Sequence, residues 1–232
     1  MRKILVTTGL AGLAAAILVG TGEYLLHYDP QARFSAGGYD FLKGISDSRS
    51  TTGHFFGVLG ATLYPIGMYH IYLMLRPANP RVALAGFFLS SFGFIVGTVW
   101  IGSRASISAL MQIPPTPEIT HLIGLYEVRY ETLLNIIRLT TLALSVIIIW
   151  LGLTGRSHYP RLIAVFSPIL MLVSNFILFA VVPDIGKHTM PIALNVAFFI
   201  FFLLSLLCAL RIKDSGRHVG NAGNIDNSVV SH

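Results

Sequence analysis

Six stretches of this sequence are apolar and long enough to cross about 30 Å of hydrocarbon at about 1.5 Å of helix rise per residue. They run roughly over residues 4–26, 52–75, 82–104, 132–153, 161–182 and 191–212. A spanning segment must satisfy its own backbone N–H and C=O groups, and uncharged runs of this length do so as helices. With 54% hydrophobic and 11% charged residues and a mean hydropathy of +0.71, the chain lies outside the range of soluble domains. The expected fold is all-α, a polytopic membrane protein with a six-transmembrane-helix bundle over 1–213. The remainder, 214–232, is rich in Gly, Asn and Ser and is expected as a disordered cytoplasmic tail. Arg2, Lys3 and Ala14 to Ala16 also fit a signal peptide, but the apolar run continues past the alanines to Glu23, which favours a retained first helix.

Charge placement gives a topology. With the N-terminus inside, nine of the sixteen basic residues fall on cytoplasmic segments, among them Arg76, Arg81, Arg156, Arg161 and Arg211. All eight acids before the tail fall on the outer side. The net charge of +6 is therefore membrane topology, and no nucleic-acid partner is expected. The expected location is the bacterial inner (plasma) membrane with both termini cytoplasmic, and the bilayer and a lipophilic small molecule are the expected partners. Cys208 is the single cysteine, so no intramolecular disulfide can form.

One stretch puts charge where charge is expensive. Residues 117–138 read PEITHLIGLYEVRYETLLNIIR and run without proline into the uncharged 139–153, which predicts one long helix. At 100° per residue Glu127, Glu131, Asn135 and Arg138 fall within about 80° of one another and make a polar stripe. Folding six helices up and down brings more polar groups to the same depth: Glu23, His27, His54, Arg104, Asn175, His188 and Asn195. Each ionisable group there costs at least about 2.5–3.5 kcal/mol, so together they imply a polar cavity open to the outer face. The loop 31–50, with Phe34, Tyr39 and Phe41, is expected to fold back over it. Trp100 is either a belt residue or a π face lining the cavity, and Arg104 could simply snorkel. Gly53, Gly57 and Ala61 mark close helix packing, while Tyr64, Tyr69 and Tyr72 read as interface aromatics and His70 as a packed histidine. The blander alternative is a polar plug, with Glu23 paired to Arg104 and Arg138 to Glu131 or Glu127.

Two carboxyls one turn apart between apolar walls can divide the roles of acid and base, because one is held neutral while the other ionises. Glu131 is the expected general acid, Glu127 or Glu23 the base, and His54 a proton relay. Arg138, Asn135, Trp100, Arg104, Asn175, Asn195 and His27 are the expected substrate-binding set. The best-fitting activity is acid–base isomerisation or cyclisation of a lipid-like or isoprenoid substrate, with no cofactor. A metal-dependent membrane hydrolase is one rival, since His27, His54, His121 and His188 with Glu23 and Glu131 are ligand types for zinc or iron. Ser50 and His54 have the Ser-x-x-x-His spacing of ceramidase-like and adiponectin-receptor-like hydrolases, but neither HExxH nor HxxxH occurs. A transporter or lipid- or small-ligand-binding protein is the other rival.

Two resemblances bear on this. Gly22 to Pro30 and Gly57 to Tyr72, with its Leu-Tyr-x-x-Gly-x-Tyr-His-x-Tyr run, are similar to an uncharacterised family of bacterial multipass proteins, over the first third of the chain. In size and site composition the chain also resembles small integral-membrane terpene cyclases and sterol isomerases of the emopamil-binding type. The first resemblance implies no activity; the second implies acid–base chemistry in a helix-bundle cavity.

Overall fold

The computed structural model describes residues 1–36 and 38–212, so the expected tail over 214–232 lies outside the described residues. It is built of helices and turns, with no strand among those residues. Helix α1 (Arg2–His27) has no proline until Asp29-Pro30 ends it. A loop carrying two short 3-10 turns, at Arg33–Ala36 and Asp40–Leu42, leads to α2 (Asp47–Ala61) and α3 (Tyr64–Leu75). Next come α4 (Pro80–Leu110), capped by the Asn79 side chain, and α5 (Pro117–Leu153), capped by Thr116. The chain closes with α6 (Pro168–Val181), α7 (Pro183–Thr189) and α8 (Ala193–Leu210).

Two of the six expected spans differ from continuous helices. The second breaks at Thr62 and Leu63, because Pro65 has no N–H to donate to the Ala61 carbonyl; Leu63 N–H bonds to Gly60 instead, as a tight turn. Counted together, α2 and α3 still form one apolar span. The fifth begins with a 3-10 turn over Arg161–Phe166 and extended backbone at Ser167 before Pro168. That leaves α6 only 14 residues, about 21 Å of helix, short of the hydrocarbon thickness. Five helical segments are therefore long and apolar enough to span, with α6 a shorter apolar helix beside them.

Helix α1 is the hub, packed against α2, α3 and α8, while α4 packs on α3 and α5. A Cβ at Gly22 would sit 2.5 Å from Gly57 N and 2.6 Å from Gly53 O, so α1 and α2 cross in backbone contact at the predicted small-residue positions. Tyr64 is not an interface aromatic. It is 1% exposed at the bundle centre, stacked on Phe94 at 3.7 Å and edge-on to Phe198. At the opposite end from the acids, His70 is packed as expected. Its Nδ1 donates to the Leu5 carbonyl (2.9 Å), leaving Nε2 to accept from Ser205 Oγ (2.6 Å), which in turn accepts from Tyr159 (2.7 Å).

Candidate functional site

At the end of the bundle where α1 finishes and α5 begins lies a cavity of about 390 Å³, within the size range of small-molecule sites. Its polar end is built by α1 and α4. Glu23 and His27, one turn apart on α1, and Trp100 and Arg104, one turn apart on α4, all line it. Its body is apolar: Leu134 and Ile137 from α5, Leu172 and Phe176 from α6, and Leu194 from α8. Helices α5 and α6 are tied at the far end, where Ser145 Oγ accepts from Ile169 N–H (3.1 Å). Glu131, Arg138 and Phe176 line the cavity and stand exposed, which marks its opening.

Glu23 is 6% exposed, and its Oε2 accepts a 2.6 Å hydrogen bond from Asn195 Nδ2. Asn195 Oδ1 accepts in turn from Tyr64 (2.6 Å), so three helices share one chain of hydrogen bonds ending at the carboxyl. That chain fixes the orientation of the Asn195 amide, because a tyrosine hydroxyl bonded to its oxygen leaves the NH2 for Glu23. Arg104 does not snorkel. At 2% exposure its guanidinium lies over the Trp100 ring, 4.1 Å from the centroid, and both Nε and Nη2 donate to the Tyr130 hydroxyl. Tyr130 completes the layer, stacked on Trp100 at 5.1 Å and edge-on to Tyr39 at 5.7 Å. The atoms that touch the Glu23 carboxyl belong to Asn195.

The loop after α1 roofs this layer, as its aromatics predict. Phe34, Tyr39 and Phe41 line the cavity, and His27 stacks on Phe41 at 4.5 Å. Burial pushes the Tyr39 hydroxyl above its ordinary value. The loop is fastened at two points. Asp29, 3% exposed, accepts from Arg33 N, Nε and Nη2 at 2.8, 2.9 and 3.0 Å, and that pairing holds its carboxyl below the usual aspartate range. Gln112, from the end of α4, donates to Leu42 O (2.9 Å) and accepts from Gly44 N (3.2 Å).

The structure divides the expected site residues. Glu23, His27, Trp100, Arg104, Glu131 and Arg138 come together in the cavity. Asn195 joins through Glu23. Glu127 and Asn135 are exposed on α5 outside it, Asn135 accepting from Arg138 Nη1 at 3.1 Å. His54 packs against Phe55 and Asn175 is buried on α6; neither lines the cavity. Glu131 itself is half exposed and 3.9 Å from Arg138, so it sits in a solvated rim, not in the enclosed end. Glu127 and Glu131 stand one turn apart on α5, but only Glu131 lines the cavity, and neither is enclosed between apolar walls. His188 stacks on Tyr28 and His121 is exposed, and among the described residues no three His, Cys, Asp or Glu side chains gather as a metal-ligand set.

Tyr130 and Tyr64 are the site residues that sequence reasoning missed. A signal for Tyr130 exists: Tyr130, Ile137, Leu144 and Leu151, all buried, recur every seventh residue and mark the inward face of α5.

No curated protein and no solved structure matches the chain, so the likeness to terpene cyclases and sterol isomerases rests on size and site composition. A family model does match residues 1–212, and the chain belongs to that family, a family of unknown function (DUF6796).

Proposed function

We propose that this is an integral membrane enzyme that isomerises a lipid-like substrate by acid–base proton transfer at Glu23. The observation that carries the proposal is a buried carboxyl, oriented by Asn195, at the closed end of a cavity whose body is apolar. A lipophilic molecule enters from the bilayer between α5 and α6, and its polar end reaches Glu23, Arg104 and Trp100. Proton transfer to and from a positioned carboxyl contributes about 10²–10⁴-fold to rate. Glu23 takes the role first assigned to Glu131, because a desolvated carboxyl exchanges its proton with the substrate and not with water. Glu131 and Arg138 guard the opening.

Isomerisation is favoured over cyclisation through a carbocation. The Trp100 face that would shield a cation is occupied by the Arg104 guanidinium, whose charge opposes a second cation and supports developing negative charge. Placement of Arg76, Arg81, Arg156, Arg161 and Arg211 at the other end of the bundle supports cytoplasmic termini and a cavity in the outer leaflet of a bacterial inner membrane.

The test compares lipids extracted from membranes expressing the wild type, Glu23→Gln and Glu131→Gln, by mass spectrometry and by deuterium uptake from heavy water. A species that depends on the protein should vanish with Glu23→Gln and persist, reduced less than about tenfold, with Glu131→Gln. Identical lipid and deuterium profiles in wild type and Glu23→Gln would leave a binding cavity without catalysis.

A further inference from the structure

Resting on the acid–base role of Glu23, we infer that the polar end of the substrate is a neutral carbonyl oxygen, held by Arg104 Nη1 and Trp100 Nε1. The cavity has spare donors. Arg104 spends Nε and Nη2 on Tyr130, but its Nη1 is buried without a partner, and so is Trp100 Nε1. Both side chains are more than nine-tenths buried and line the cavity. The guanidinium carbon lies 4.1 Å from the centre of the indole, so the two donors belong to one stacked pair at the cavity wall. Buried polar atoms are nearly always satisfied, so two orphan donors at one cavity wall call for an acceptor from outside the chain.

Charge decides which acceptor. The cavity holds two cations, Arg104 and Arg138, and two anions, Glu23 and Glu131, so its ionised groups already balance. An anionic head would sit among Glu23 and Glu131, and a cationic head would meet Arg104. A ketone, enone or acyl carbonyl supplies the acceptor without added charge, and its hydrocarbon fits the apolar wall of α5 and α6.

The reaction class follows. The Glu23 carboxylate removes a proton from the carbon between a carbonyl and an isolated double bond. The electron pair of that C–H bond moves into the carbonyl, giving a dienolate whose oxygen takes the N–H groups of Arg104 and Trp100. Glu23 then returns the proton to the far end of the former double bond. The double bond moves into conjugation, and atoms, electrons and charge balance with no second reactant.

Binding is measured on the full-length chain in nanodiscs in a Trp150→Phe background, which leaves Trp100 as the single reporter of the two tryptophans. The probes are 2-tridecanone, dodecanoate, dodecylammonium and tridecane, each read by Trp100 emission. The ketone is expected to bind at least about tenfold more tightly than each of the other three, the scale set by leaving buried hydrogen-bonding groups unpaired. Arg104→Lys, which keeps the charge but loses the fork, should remove that preference. Tighter dodecanoate, or equal affinity for tridecane, overturns the inference on the Trp150→Phe protein alone, whatever the folding of the Arg104 variant. Ketone preference with lipid products unchanged in Glu23→Gln would overturn the catalytic proposal and leave the carbonyl site standing. No ketone preference with products lost in Glu23→Gln would do the reverse.

Discussion

Asn195 has two hydrogen-bond commitments, to Glu23 and to Tyr64, and no room for error in either. If Tyr64 becomes phenylalanine, Oδ1 loses its donor in a dry core. Interhelical hydrogen bonds in membranes contribute about 0.6–1.7 kcal/mol each, which sets the stability loss expected for Tyr64→Phe in a thermal melt in detergent. Tyr64 does not line the cavity, so an unchanged melting temperature would mean that the bond does not hold α3 to α8. The tyrosine was hidden in the sequence because YPIGMYHIYLML offers three tyrosines of equal appearance at helix-end positions. Only the packing of Phe94, Phe198 and Phe202 around one of them shows which is central. Arg104 was named from the sequence, but its stacking was not legible there: a snorkelling arginine and one folded onto a tryptophan four residues earlier have the same local sequence.

Among the elements, the loop between α1 and α2 is the one whose order the site depends on, since Phe34, Tyr39 and Phe41 close the cavity over His27. Its anchor at Asp29 has a definite pH dependence. Because pairing with Arg33 lowers the folded-state value below the ordinary 3.8, the anchor's contribution is complete above that value and is lost as pH falls through the lowered one. At neutral pH, Asp29→Asn removes the same contribution, and cleavage after Arg33 by trypsin should speed up several-fold relative to wild type, an increase of order 10 at most for one charge-assisted pair. Equal cleavage rates would show that the Gln112 clamp suffices alone. The loop's aromatic content made its return over the helices legible; its fastening was not, because an Asp and an Arg four apart in a loop carry no such signal without the fold. Helix α5 was legible over its full length, from the Thr116-Pro117 start to Leu153, because no proline interrupts it. Its polar stripe was found but aimed differently. The stripe is centred about 125° from the Tyr130–Ile137–Leu144–Leu151 face, so it borders the cavity and does not line its depth. Glu131 and Arg138, in the middle of that stripe, line the cavity, and Glu127 and Asn135, at its two edges, are exposed outside it.

For the whole molecule, the class of fold was legible because long uncharged runs leave a chain few options, and the cavity's end of the bundle was legible because nearly all the acids point to it. The number of complete spans was not, since a 3-10 turn before Pro168 shortens α6 in a run whose hydropathy alone looks ample. The proposed orientation is testable on the intact protein. Single cysteines at Ser48 and at Ser157, in a Cys208→Ala background, should react with a membrane-impermeant maleimide in whole cells at Ser48 only, with Ser157 labelled after the membrane is opened. The opposite pattern would put the cavity in the inner leaflet and reverse the side from which a substrate arrives.

The bond between Glu23 and Asn195 joins residues 172 apart, the first helix made and the last. During synthesis α1 enters the membrane with its carboxyl long before the amide that will orient it exists, and an acid in that position is costly to leave alone. Until α8 arrives, Glu23 has only water or lipid headgroups as company, so a shortened chain carries an unfinished site. The polar end of the cavity is therefore finished only when the first and the last of the described helices have come together.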